Sequence, residues 1–383
     1  YYCSASEEGK CSVVILHFCA KVAQRSQKHM MIDWLTLRIP CDHSREIAGG
    51  AMVSYKDAWD FDAGADWCFT KPLAVVGSHD ANVRLKTSGF SNEGQSGTEL
   101  HIDGNLVKFF QGHNLFGSCD IVGLVCDFMD HICSMESLGL HPTDFQKQAW
   151  RRGLFKLSRI DVTSMYRLNN RNDVLSWISS AEYSSTMAHR GRGQLTKGST
   201  LYFGKHSRRW SLKFYSKGQE VNCKGHRLPL ELPSRDKLLA YAEPALRSEL
   251  TLRSMTLKET DLQLAANWPR NAEGITRIFE KYLAGLNMSD TRTIPAEQLA
   301  ELPSGTRLAY QSWLDGYDLK AMLAHRTFYR YRKQLLLLGV DIATVLPREK
   351  SNVVPLVRVL EAIPMGIPDW AYGTPLYHQP VGF

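Results

Sequence analysis

Four separated segments carry strict alternation of polar and apolar residues, and this pattern restricts the fold more than any other feature of the chain. Glu99, His101 and Asp103 alternate with Leu100 and Ile102; Arg159, Asp161 and Thr163 with Ile160 and Val162. Lys213, Tyr215 and Lys217 oppose Trp210, Leu212 and Phe214, and Arg247, Glu249, Thr251 and Arg253 oppose Leu246, Leu250 and Leu252. A period of two belongs to strands buried on one side only. It predicts an α+β fold in which an antiparallel sheet turns one face to a core roofed by helices and the other to water. If the four strands are neighbours, the wet face gathers a tyrosine, several carboxylates, an imidazole and arginines.

Any one such strand is ordinary solvated surface. Acid-bearing strands beside a tyrosine strand favour chemistry instead. A protonated tyrosine oxygen is a poor nucleophile, but an adjacent cation such as Lys217, with a metal on the scissile phosphate, makes a phosphotyrosine intermediate reachable. Oxygen and imidazole donors suit Mg²⁺ or Mn²⁺ better than zinc. Tyr202, in the expected partner strand Ser199 to Gly204, faces the same way as Tyr215 and is either a second nucleophile or a cross-strand packing partner.

Charge agrees with a nucleic-acid partner. The net charge is +7, and the segment from Arg190 to Lys217 holds eight basic residues and no acidic one. Such a run lies against a phosphate backbone. The nine cysteines include no C-x-x-C; Cys119, Cys126 and Cys133 recur every seven residues and read as one packed helical face of reduced thiols. With 383 residues the chain holds two domains.

We expect a nicking domain over 30–258, with helices near Leu115 to Leu138 and Asp173 to Ala188. A mostly helical domain follows over 259–347, then a C-terminal extension over 348–383. Residues 1–29 read as a non-native or disordered leader, whose apolar stretch from Val13 to Ala20 is too short to cross a bilayer; no other segment approaches that length. In the helical half, a short helix from Asp318 to Leu323, a turn, and a longer helix from Thr327 to Leu338 ended by Gly339 fit either a helix-turn-helix or an ordinary helical hairpin. Arg326 and Arg330 lie on its basic stripe.

The blocks Phe110 to Gly117, Ser158 to Thr163, Tyr215 to Glu220 and Arg247 to Glu249, with Asn352 to Arg358 and Pro368 to Trp370 near the end, resemble the gene II replication proteins of filamentous bacteriophages. The resemblance runs in order from about Met31 to Trp370. It implies a rolling-circle initiator: a metal-dependent endonuclease and strand transferase that nicks the viral strand of the replicative form at its origin, holds a 5′-phosphotyrosine, and later rejoins a single-stranded circle. The family's Tyr-x-Lys-x-x-Glu setting falls on Tyr215, Lys217 and Glu220, and its acidic positions fall on Asp161 and Glu249.

Related initiators carry a metal-binding histidine pair around an apolar residue; here the segment is His101-Ile102-Asp103, so His101 alone matches. The implied metal set is Asp161, Glu249, Glu220 and His101 with Mg²⁺ or Mn²⁺. Candidate DNA contacts are Arg209, Lys213, Arg247, His113 and Asn114, although the His113–Asn114 pair also reads as a turn that caps backbone groups. Implied partners are origin DNA, its nicked strand, and a host helicase and polymerase, in the host bacterial cytoplasm. Two rivals stand beside this reading: a non-catalytic origin- or single-strand-binding protein, and a plasmid initiator, relaxase or transposase with the same chemistry. The Asn352 block favours the phage.

Overall fold

In the computed structural model, the described residues are 30–44, 47, 51–55, 65–70, 72–90, 97–288, 294, 296–338, 340, 342–343 and 363–381. The expected leader, Gly339 and the Asn352 to Arg358 block lie outside them.

The alternating segments do form strands of one antiparallel sheet. In chain order its strands are β1 (Met31–His43), β2 (Leu73–Val76), β3 (Asn82–Phe90), β4 (Gly97–Gly104), β5 (Lys156–Arg167), β6 (Gln194–Thr196), β7 (Thr200–Phe203), β8 (Trp210–Ser216), β9 (Ala245–Arg253) and β10 (Ile363–Pro364). Across the sheet they run β6-β7-β8-β9-β5-β1-β4-β3-β2, with β10 added to β5. Strands β8, β9 and β5 are thus consecutive neighbours, whereas β4 is separated from β5 by β1.

Apolar positions of every central strand point to one face: Leu35 and Leu37, Leu100 and Ile102, Ile160 and Val162, Leu250 and Leu252, Leu212 and Phe214 are all buried there. Helices α1 (Leu106–Gln111), α2 (Ile121–Cys133), α3 (Asp144–Arg151) and α4 (Arg171–Ser184) pack into the core on that face. Each begins on a polar cap that satisfies a free N–H group of the first turn: Asn105, Asp120, Thr143 and Asn170 are the acceptors, and Thr143 with Gln146 completes a capping box. The second helix starts after Cys119, so of the three regularly spaced cysteines Cys126 is buried on it while Cys119 and Cys133 are half-buried near its ends. Helix α4 lies under β8, where Trp177 packs on Phe214 with ring centroids 5.2 Å apart.

Short helices flank β8 and β9, and beyond β9 the chain becomes mostly helical, as expected. Helix α5 (Lys217–Glu220) caps β8, α6 (Arg235–Ala242) leads into β9, and α7 (Ala272–Leu283) returns to the main core through Ile275 and Phe279. Three helices, α8 (Ser304–Leu314), α9 (Leu319–Met322) and α10 (His325–Leu337), then enclose a separate core of Tyr310, Trp313, Leu319, Phe328 and Leu335. The final segment comes back to the sheet: β10 pairs with β5, and Ala371 and Leu376 bury against Leu115, Phe116 and Leu238. No helix among the described residues is long and apolar enough to cross a membrane.

Trp177 is fully buried beneath the tyrosine strand. Trp177→Ala is expected to destabilise the protein by about 3–5 kcal/mol, read from urea unfolding followed by circular dichroism.

Candidate active site

On the polar face, register places the proposed groups in adjacent rows. Lys213 lies opposite Glu249, Tyr215 opposite Arg247, and Asp161 opposite Thr251. The Tyr215 hydroxyl reaches diagonally to donate to Glu249 Oε2 at 3.3 Å, while Lys213 Nζ holds Glu249 Oε1 at 2.7 Å. Two ammonium groups flank the ring, Lys213 Nζ at 5.0 Å and Lys217 Nζ at 6.0 Å from its centroid. Tyr215 is only 6% exposed. Burial, opposed by Arg247 but reinforced by Glu220 and Glu249, raises its pKa well above the ordinary phenol value.

Beneath this row lies a buried guanidinium. Arg247 is 0% exposed and pairs with Asp33 Oδ2 at 2.9 Å; it also donates to the Asn114 carbonyl and to Thr163 Oγ1. Asp33 is the extra residue of a β-bulge: β1 advances from Ile32 to Trp34 while β5 advances only from Val162 to Asp161. Bulges re-aim a side chain out of the alternating pattern, and this one delivers a carboxylate to Arg247. Asn105 and Asn114 each donate to Asp33 Oδ1, at 2.6 and 2.8 Å. Burial would raise the Asp33 pKa, but Arg247 and Lys217 together hold it below the ordinary value.

Lys217, itself 1% exposed, extends the network by donating to Asn114 Oδ1 at 2.9 Å and Glu220 Oε2 at 2.5 Å. Burial lowers its pKa despite those partners. Asn114 therefore joins the tyrosine strand to the Asp33–Arg247 pair. Its loop is in turn held by the C-terminal segment: the His378 amide donates to Gln111 Oε1, Gln111 Nε2 donates to the Phe116 carbonyl, and the His378 ring stacks on Phe110 at 4.0 Å.

The expected metal set is only partly gathered. Asp161 and Glu249 are diagonal neighbours on adjacent strands, and burial together with the charge of Asp161 raises Glu249 to about 7 against the pull of Lys213. Two carboxylates that repel one another across a polar face fit a single Mg²⁺, which commonly takes one or two protein carboxylates and fills its shell with water and phosphate. Arg159 now neutralises Asp161 through two hydrogen bonds of 3.0 and 2.6 Å.

His101 does not join them. It sits opposite Arg38 on β1, four residues from the Trp34 position that faces Asp161, roughly 13 Å along the strand and one strand further over. Glu220 also stands apart, neutralised by Lys217. Among the described residues no group of three or more His, Cys, Asp or Glu side chains is placed to hold a metal ion.

Several expected DNA contacts are differently placed. His113 is 1% exposed, and burial lowers its pKa to about 3; Arg247 is wholly enclosed. Neither presents a surface to DNA, and Asn114 is committed to the network just described. Lys213 is half-buried on Glu249, and Arg209 is exposed but paired with Glu259. Tyr202 stands on the polar face opposite Lys213, with Lys205 Nζ 5.2 Å from its ring. Arg326 and Arg330 are exposed on α10. Asp33 escapes a reading by alternation because its bulge breaks the period of two; the one signal for it is an acid inside the apolar run Met30 to Leu35.

A tyrosine set among lysines and carboxylates on one face of an antiparallel sheet, in a basic chain, fits the class of proteins that act on nucleic-acid phosphates. The chain belongs to the family of phage gene II replication-associated proteins, since residues 31–271 match that family's N-terminal model and residues 296–376 match its C-terminal counterpart. It is 37% identical over 342 residues to the gene II replication-associated protein of Enterobacteria phage I2-2, covering 88% of this chain and 96% of that one. The protein of the same name from Enterobacteria phage M13 is 25% identical over 432 residues, covering 92% and 99%. A solved rolling circle replication initiator protein from Geobacillus stearothermophilus overlaps 83% of this chain and 99% of its own at 12% identity and a TM-score of 0.30, too loose a likeness to place any residue.

Two outcomes follow from the charges. Asp33→Asn leaves a buried guanidinium without its counter-ion and is expected to cost about 3–5 kcal/mol in chemical denaturation. The raised pKa of Glu249 means its contribution to stability is full below its ordinary 4.5 and is lost as pH rises through about 7. In metal-free buffer, the Tm of the wild type minus that of Glu249→Gln should therefore fall across that interval; a difference independent of pH would show that Glu249 ionises normally.

Proposed function

We propose that this phage replication protein initiates rolling-circle replication by nicking the viral strand of double-stranded origin DNA, with Tyr215 as the nucleophile. The observation that carries the reading is the tyrosine hydroxyl set 3.3 Å from a carboxylate oxygen of Glu249 and between two lysines. Tyr215 Oη attacks the scissile phosphorus as its proton passes to Glu249 Oε2. The bond from phosphorus to the 3′ oxygen breaks, the 3′ oxygen takes up a proton, and the 5′ phosphate stays on the tyrosine. In the metal-free site burial raises the Glu249 pKa, the direction that favours a proton acceptor. Lys217 and Lys213 supply fixed positive charge where the phosphorane becomes more negative.

Asp161 and Glu249 are the pair that would hold Mg²⁺ or Mn²⁺, which when bound polarises the phosphate as a Lewis acid. The released 3′ hydroxyl primes a host polymerase, with a host helicase opening the duplex, in the cytoplasm of the bacterial host. Reversal of the same chemistry joins the displaced strand into a circle. Tyr202, across from Lys213, serves as a second nucleophile or simply packs against the lysine stem.

On supercoiled origin DNA with Mg²⁺, Tyr215→Phe is expected to give neither a nick nor a protein-linked 5′ end on a denaturing gel, while Tyr202→Phe keeps the first nick. Lys217→Gln should slow cleavage by about 10²–10³-fold. Undiminished nicking by Tyr215→Phe would remove the tyrosine from its role.

A further inference from the structure

The unit formed by α8, α9 and α10 has its own core and takes no part in the charged cluster on the sheet. Its surface is distinctive. From Leu319 to Leu337 there is no acidic residue, while Lys320, His325, Arg326, Arg330, Arg332 and Lys333 fall within it. The one acid at its border, Asp318, is used as a cap, accepting from the amides of Lys320 and Ala321.

At about 100° per residue, Arg326, Arg330 and Lys333 fall within an arc of roughly 60° on α10. Phe328 and Leu335 lie on the opposite side of the helix and are buried, at 2% and 0% exposure. All three basic residues are exposed. The helix is held in that orientation: Thr306 of α8 donates to Gln334 Oε1 at 2.5 Å, and the absence of a side chain at Gly305 admits the Tyr331 hydroxyl, which would stand 2.5 Å from a Cβ there. Helix α9 joins α10 through Leu323 and Ala324 alone.

We propose that the exposed face of α10 binds double-stranded DNA, entering the major groove through Arg326, Arg330 and Lys333, and thereby selects the origin for the nicking site. Selection of the origin rests on the nicking function above; duplex binding does not. Charge complementarity identifies the occupant, because an exposed one-signed basic stripe on a helix matches a continuous polyanion whose major groove is wide enough to admit a helix. A second helix following a short one across a tight turn is also the docking arrangement of helix-turn-helix readers. The unit is tethered at both ends to the sheet domain, before it by α7 in the main core and after it by the segment carrying β10. Leu336 and Leu337 are exposed at the far end of α10, beyond the basic stripe.

The test compares full-length protein with the triple variant Arg326→Ala, Arg330→Ala, Lys333→Ala, using fluorescence anisotropy on duplex origin DNA over a range of salt. Cleavage of a single-stranded oligonucleotide carrying the nick site is measured in parallel. The expected result is duplex affinity reduced at least about tenfold, a slope of log affinity against log salt that is shallower by up to about 2.7, and single-strand cleavage unchanged. The control Arg326→Lys, Arg330→Lys, with Lys333 retained, should restore the salt slope. Wild-type duplex affinity and slope in the triple variant would overturn the proposal and leave the face to a protein partner or to none. Tyr215→Phe separates the two readings, since it should bind the duplex normally without cutting it; if it cuts, the nucleophile is wrong while the binding result stands.

Discussion

The structure around the site depends on one buried ion pair, Arg247 with Asp33. A guanidinium at 0% exposure needs a counter-ion and hydrogen-bond acceptors; here Asp33, the Asn114 carbonyl and Thr163 serve the two terminal nitrogens, while Nε has no partner among the described residues. Supplying them fixes three otherwise independent parts of the chain. The bulge in β1 turns Asp33 inward, the loop at Asn114 offers a carbonyl to Arg247, and β5 offers the Thr163 hydroxyl. Because Asn114 also binds Lys217, the same pair sets the cation beside the tyrosine. Through Gln111 and His378 the constraint extends to the end of the described chain. A segment more than a hundred residues beyond β9 thus belongs to the support of the site.

This arrangement is balanced before any phosphate arrives. Asp161 is matched by Arg159, Glu249 by Lys213, Glu220 by Lys217 and Asp33 by Arg247. A pre-formed set of charges needs little reorganisation during reaction, which is where electrostatic stabilisation gains its effect. The balance is not uniform, however. Lys217 and Arg247 are sealed and act as fixed charge, whereas Arg159 is partly open and so is the partner more readily displaced from its carboxylate.

Periodicity makes parts of this site legible in the sequence, and interruptions of it hide the rest. Strands β8 and β9 alternate without a break and β5 does so from Arg159 to Thr163, past an irregularity at Ser158, and that alternation alone puts Asp161, Tyr215, Arg247 and Glu249 on one face. It cannot give strand order, so it groups His101 with residues that β1 holds away from it. Nor can it register a bulge, where one inserted residue reverses the facing of its neighbours; Asp33 is invisible for that reason. The roles of His113 and Asn114 are obscured differently. A short polar pair in a loop looks like surface until a distant segment, here 363–381, is seen to pack over it.

In the proposed reaction, a tyrosine that holds a cleaved strand through a full round of synthesis meets conflicting demands. Its ester must be reachable by a returning 3′ hydroxyl yet protected from water, since hydrolysis would discard the bond energy needed for closure. In the proposed reaction, near-complete burial of Tyr215 would protect such a linkage, and it also opposes formation of the phenolate. The surrounding groups answer that cost in two ways: a carboxylate whose own ionisation has been moved toward neutrality is in contact to take the proton, and Arg247 lies opposite to favour the anion that forms. Burial and activation are therefore not alternatives here. The same enclosure that raises the phenol also raises Glu249, so in the proposed reaction the carboxylate in contact with the tyrosine is, before a metal binds, suited to take its proton.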